Sequence, residues 1–158
     1  MEENTFYKGS YIIEICNADT GEILDKISVD NQLTLINQTV RTQMLLGTYT
    51  GGNEALQIQF FAFGTGTTPA SVNDTQLVSE QFRKQVTQIS NPSAGTVTSI
   101  VSLTASEANF TIKEIGVFCG ASATSTPNSG TLLSRVNVNI NKNSNITLNI
   151  TRNDICTI

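Results

Sequence analysis

The sequence predicts an all-β protein, an antiparallel β-sandwich of jelly-roll-like form with about eight strands and one short helix. Three observations carry that expectation. Thr (22), Asn (16) and Ser (14) make up a third of the 158 residues while only 14% are charged, a composition of strands and turns rather than of helices. Apolar and polar residues alternate over segments of strand length. Gly, Asn and Pro turn signals separate those segments at intervals of about 8 to 14 residues. With 39% hydrophobic residues the chain is sized for one core, so it reads as an N-terminal arm over 1–10 and a single sandwich domain over 11–158.

The first element is a hairpin from Tyr11 to Val29, in which two β-branched runs flank the turn sequence "NADTG". Leu33, Ile36, Val40, Met44 and Leu45 then recur at intervals of three and four before Gly47, which predicts the short amphipathic helix. After the loop "TYTGGN", "ALQIQFFAFG" alternates and then turns continuously apolar, as a strand buried on both faces does. Beyond it, Gly64 and Gly66 permit a sharp turn and Pro69 continues the loop. Asp74 or Asn73 caps one helical turn, and Leu77 and Val78 plug the mouth of the sandwich. This crossover is the best candidate for contact with a neighbouring subunit.

"QFRKQVTQIS", "NPSAG" and "TVTSIVSLTA" read as a second hairpin, with Phe82, Val86 and Ile89 facing Val97, Ile100 and Leu103. "SEAN" turns the chain into "FTIKEIGVFCG", and "ASATSTPNSG", broken by Pro127, is a surface loop. In the C-terminal segment Val136, Val138 and Ile140 face one way and Asn137, Asn139 and Asn141 the other, with "NKNSN" closing a last hairpin. The Asn and Thr rows on outer faces are uncharged, a poor defence against edge pairing and easier to understand if other subunits cover them.

Several function classes are excluded on chemistry. The chain has no histidine, the usual general base, zinc ligand and triad member. Of the carboxylates available for paired acid–base work, Glu14, Glu54, Glu80, Glu107 and Glu114, the first two fall in hairpin or loop settings that solvate them. No Trp is present to stack on a sugar. Cys16, Cys119 and Cys156 are an odd number at distant spacings and read as small buried apolar residues. "NADTGE" and "SVNDTQ" lack the spaced acidic series of a calcium loop. The glycines at 64 and 66 lack both the following lysine of a phosphate-binding loop and the third glycine and helix of a dinucleotide site. The reading is a non-enzyme with no cofactor and no metal.

A net charge of −4 with no run of Lys or Arg gives nucleic acid no electrostatic footprint. The absence of any stretch of about 18 apolar residues, with an acidic "MEENTFYKGS" start, points away from membranes and secretion. One polar contact is predicted at residue level. Glu114 lies opposite the inward Phe110, Ile112 and Ile115, with Gly116 able to form a bulge, and Arg135 follows two leucines. The two are expected to pair across adjacent strands, partly buried.

In this order, "TGEI", "NQLT", "FAFGTGTTPASVNDTQLVSE", "TIKEIGVF" and "GTLLSRVNVN" resemble a module of tailed-bacteriophage virion proteins, found in tail-fibre, baseplate and collar proteins. The resemblance spans Tyr11 to Ile158. It implies a non-enzymatic building block of the virion, trimeric or ring-forming, assembled in the bacterial cytoplasm with copies of itself and neighbouring virion proteins. Two alternatives accompany it. One is a tail-fibre module binding host-surface carbohydrate through "TYTGGNEA" and "GASATSTPNSG"; the other is a capsid decoration or head-fibre protein.

Overall fold

The computed structural model describes residues 7–36, 39 and 57–156. Among them lie ten strands: β1 (Tyr7–Asn17), β2 (Ile23–Asp30), β3 (Gln32–Leu33), β4 (Ile58–Gly64), β5 (Glu80–Gln85), β6 (Gln88–Ser90), β7 (Thr96–Leu103), β8 (Thr111–Cys119), β9 (Thr131–Asn141) and β10 (Ile146–Cys156). They form two five-stranded antiparallel sheets. The first runs β2-β1-β10-β7-β6 and the second β3-β9-β8-β4-β5.

The period-2 pattern fixes which side chains meet between the sheets. Tyr11, Ile13, Val101, Leu103, Leu148 and Ile150 of the first sheet bury against Phe61, Phe63, Ile112, Ile115, Val117, Val136 and Ile140 of the second. Tyr11 meets Phe61 edge to face at 6.3 Å, and its hydroxyl lies 3.3 Å from the Ser134 hydroxyl. Burial pushes the Tyr11 phenol's pKa up, which keeps it a neutral hydrogen-bonding group inside the core.

The first hairpin is present with Tyr11 opposite Val29. Its turn is closed by Asn17, whose Oδ1 accepts the backbone N–H of Asp19 and Thr20 at 2.9 and 3.0 Å. β1 begins at Tyr7, so the last four residues of the expected arm already belong to the sheet. Val136 and Ile140 are buried and Asn139 and Asn141 exposed, the alternation read from β9.

Other expectations change. The eight strands become ten because a two-residue β3 is added and the segment expected as one strand over residues 81–90 is two. β5 pairs with β4 in the second sheet, placing Phe82 opposite Phe63. The Val86 N–H then still donates to Gln59 O in the second sheet, while the next N–H, that of Thr87, donates to Ile100 O in the first. The chain thus changes sheets between consecutive residues, and only Gln88–Ser90 pairs with β7, Ile89 opposite Ser99.

"NKNSN" likewise does not close a hairpin. β9 pairs with β8 and β3, whereas β10 pairs with β1 and β7 in the other sheet, so the turn is a crossover. Leu33, read as the start of the helix, is in β3, and Leu35, Ile36 and Thr39 are helical. The remainder of the predicted helix, Gly47, Glu54 and the "TYTGGNEA" loop lie outside the described residues.

Candidate functional site

The segment 65–79 leaves β4 and returns to β5, and between them it lies as a strap on the outer face of the second sheet. That face is built by the residues alternating with the core: Ala62 on β4, Glu114, Gly116 and Phe118 on β8, and Leu132 and Arg135 on β9. The expectation that the segment crosses the end of the sandwich is corrected accordingly. Leu77 is fully buried against Ala62, Phe118 and Leu132, a small second core, while Val78 is 54% exposed and plugs nothing. A Cβ on Gly116 would collide with the Leu77 side chain, so the glycine leaves the space that the strap fills.

Two buried charges hold the strap. The Glu114 carboxylate accepts four hydrogen bonds: from the N–H of Gly66 (3.0 Å) and Ser79 (2.8 Å) on Oε1, and from the N–H of Val78 (3.0 Å) and Arg135 Nε (2.7 Å) on Oε2. A carboxylate offers about four acceptor positions, so this one is saturated and has none left for a substrate proton. Arg135 also donates to Asp74 Oδ2 (2.9 Å), Thr68 O (2.7 Å) and Pro69 O (3.4 Å). Both Glu114 and Arg135 are 0% exposed. Burial works against the guanidinium charge, but the hydrogen bonds it donates to Asp74 and Glu114 outweigh it and raise the Arg135 pKa above the ordinary arginine value.

All six sequence-named residues therefore converge on the strap, though Gly64, Gly66 and Asp74 act differently from expectation. Gly64 and Gly66 are not among the residues with positive φ. They are needed because a Cβ on either would sit 2.5 Å from Glu114 Oε1. No helical turn follows Asp74 for it to cap; instead its carboxylate reaches back to accept the Ser71 N–H at 2.8 Å, closing the turn over residues 71–74, and the same oxygen anchors Arg135. Pro69 contributes its carbonyl. Asn137 adds a clasp, accepting the Ala70 N–H at 2.7 Å and donating to Thr68 O at 3.1 Å.

A second clasp was missed from the sequence. Arg83 is bidentate to Glu80 at 2.5 and 2.9 Å, lies 4.6 Å from the centroid of the Phe118 ring, and donates to Thr124 O and Ser129 O. Glu80 in turn accepts the Asn128 N–H at 2.7 Å, and Asn128 Oδ1 accepts the Leu77 N–H at 3.0 Å. The "ASATSTPNSG" loop is thereby tied to the strap. The signal available was a Glu-x-x-Arg pair beside Phe82 in a segment otherwise rich in Gln. Along the strap's edge Leu35, Ile36, Val72 and Val78 stay 40–54% exposed, and Leu35, Ile36 and Val72 line an apolar cleft.

The outer face of the first sheet is built differently. The strand register sets three rows across it: Asp30, Ser10, Asn153, Thr98 and Ser90; Ser28, Ile12, Thr151, Ile100 and Gln88; Lys26, Glu14, Asn149 and Ser102. Every one is partly or fully exposed. Thr98 and Ser102 donate to Asn153 and Asn149 at 2.8 and 2.9 Å, so neighbouring strands satisfy each other's polar groups without charge. Of the three cysteines, Cys16 and Cys119 are buried, the Cys119 thiol donating to Thr131 O at 3.3 Å, and the side chain of Cys156 lies outside the described residues. The chain matches no protein-family model, no curated protein and no solved structure.

Proposed function

We propose that the chain is a structural subunit of a tailed-bacteriophage particle, in its tail, collar or baseplate region, that assembles with copies of itself and with neighbouring virion proteins. The observation that carries the reading is the outer face of the first sheet. Its central positions, Ile12, Thr151, Ile100, Asn149, Asn153, Thr98 and Ser102, are uncharged, and its charged side chains are confined to β1 and the edge strand β2. A polar face without charge costs little to desolvate against a similar face, because Ser, Thr and Asn exchange water for matching partners. The motif order that resembles virion modules, and a saturated rather than poised carboxylate at Glu114, support the same reading.

Light scattering on the purified full chain tests it. A trimer, a ring, or a complex formed on adding other virion proteins is the expected result. A monomer at high concentration that joins none of them refutes the proposal. Binding on a glycan array, with no self-association, moves the assignment to a carbohydrate-binding module.

A further inference from the structure

At one end of the sandwich the connection from β7 to β8 and the crossover from β9 to β10 lie against each other. Lys142, the residue after β9, joins them. Its backbone N–H reaches Phe110 O at 3.3 Å, and the whole residue is only 1% exposed. The buried amine contacts three oxygens: Ala105 O (3.3 Å), Asn143 O (3.0 Å) and Asn109 Oδ1 (3.1 Å). Two of these belong to backbone amides, which do not react. The third belongs to a primary carboxamide, whose carbon is an electrophile and whose nitrogen is a leaving group.

The local backbone is shaped to make that contact. Ala108, immediately before Asn109, is held at φ 51°, a left-handed conformation that alanine rarely adopts and that commonly marks functional positions. Its own side chain is buried at 7% exposure, fixing the turn from inside. Glu107, one residue further back, places a carboxylate beside this turn, held by Lys84 Nζ at 2.7 Å and the Thr104 N–H at 2.9 Å. Asn109 itself is exposed, giving a departing group a path to solvent.

We propose that Lys142 and Asn109 condense within the folded chain to an isopeptide bond. The Lys142 ammonium passes a proton to Glu107 by way of water, since Glu107 acts on the amine through its charge and not by direct contact. The freed amine attacks Asn109 Cγ. The N–C bond forms as the carbonyl opens to a tetrahedral centre. Glu107 then returns the proton to Nδ2 by the same route, the C–N bond breaks and ammonia leaves. The second proton of the attacking nitrogen passes to the ammonia, which departs as ammonium. One amine and one amide become one secondary amide and one ammonia, with no oxidant or activated co-reactant. Two features favour the step. Holding amine and carboxamide oxygen at hydrogen-bond distance replaces a bimolecular encounter with an intramolecular one. Burial also pushes the Lys142 pKa below the ordinary lysine range, with the Glu107 charge opposing it, which increases the fraction of nucleophilic amine.

Intact-mass measurement of the denatured full chain decides the matter without a variant. The expected mass is lower than that of the sequence by one ammonia. Trypsin should release a branched peptide in which 85–113 is joined to 136–152, uncut at Lys142. The full sequence mass after prolonged incubation at neutral pH overturns the proposal, and so does loss of ammonia without the branched peptide, which indicates cyclisation at an asparagine. Lys142→Arg and Asn109→Ala should both keep the full mass. Glu107→Gln should condense at least tenfold more slowly while its circular dichroism matches the parent, and an unchanged rate removes Glu107 from the proton transfer.

Discussion

The outer faces of the two sheets start from the same alternating pattern and end differently. On the second sheet the face carries Glu114, Arg135 and Phe118, and the chain covers it with its own strap. On the first it carries Ser, Thr, Asn and two isoleucines at its centre, with Glu14, Lys26 and Asp30 only toward the β2 edge, and all of them stay partly or fully exposed. A charge at an interface must be neutralised by a partner in fixed geometry, and the most dependable partner is one in the same chain, present at unit stoichiometry. Neutral hydroxyls and amides tolerate either water or another protein surface. The difference shows which face is closed within the molecule and which is left available to others.

The largest effect expected from breaking this contrast is at Glu114. Replacing it with Ala leaves Arg135 buried with only Asp74 as counter-charge and strips an acceptor from three strap N–H groups. The loss should be ~3–5 kcal/mol, read from the urea unfolding midpoint. An unchanged midpoint would show that the strap does not depend on the pair. Leu77→Ala removes the apolar plug while keeping every hydrogen bond, and should cost about 2–5 kcal/mol in the same measurement. If Leu77→Ala is neutral, the strap is held by its charges alone.

The parts of this arrangement readable from the sequence are those set by facing. Alternation with the inward Ile115 put Glu114 on the other face, although alternation with Ile112 would have put it inside, and the β-bulge between Ile112 and Glu114 decides for the former. Arg135 follows buried leucines, and the structure joins the two at 2.7 Å. Gly64, Gly66 and Asp74 stood out as residue types, but their reason did not, because a glycine needed for a close approach looks the same as one needed for a turn. Strand partners were the hardest to read. "NKNSN" and "NPSAG" each mark a reversal, yet one is a crossover between sheets and the other a hairpin. A turn fixes where the chain bends; pairing is decided by which apolar face fits which sheet, and no local signal encodes that.

A part-exposed ion pair provides the scale against which the buried one is judged. Burial pushes the Glu107 carboxyl's pKa up, but hydrogen bonds from Lys84 and Thr104 outweigh it and set it below the ordinary glutamate value. The unfolded chain then takes up the proton more readily than the folded one. The bridge therefore stabilises above the ordinary glutamate range, and its contribution is lost as pH falls through the folded pKa. Lys84→Met should cost under about 1 kcal/mol near neutral pH, and its deficit from the parent should shrink as pH falls below the ordinary glutamate range. A deficit that persists in acid would assign the effect to packing of the lysine stem.

The smallest effect on stability is expected where the effect on assembly is largest. Thr151 lies between Ile12 and Ile100 at the centre of the first sheet's outer face. Thr151→Lys puts a charge there without touching the core or the strap, so the unfolding midpoint should move by no more than about 0.5 kcal/mol. If copies meet through this face, the lysine must be desolvated without a partner, and light scattering should show a shift from oligomer to monomer. An oligomer that survives the change excludes this face and leaves the exposed apolar edge of the strap, Leu35, Ile36, Val72 and Val78, as the surface where copies meet. Charged substitution at Val78, the most exposed of the four, then separates the two surfaces, because it lies on the opposite sheet from Thr151.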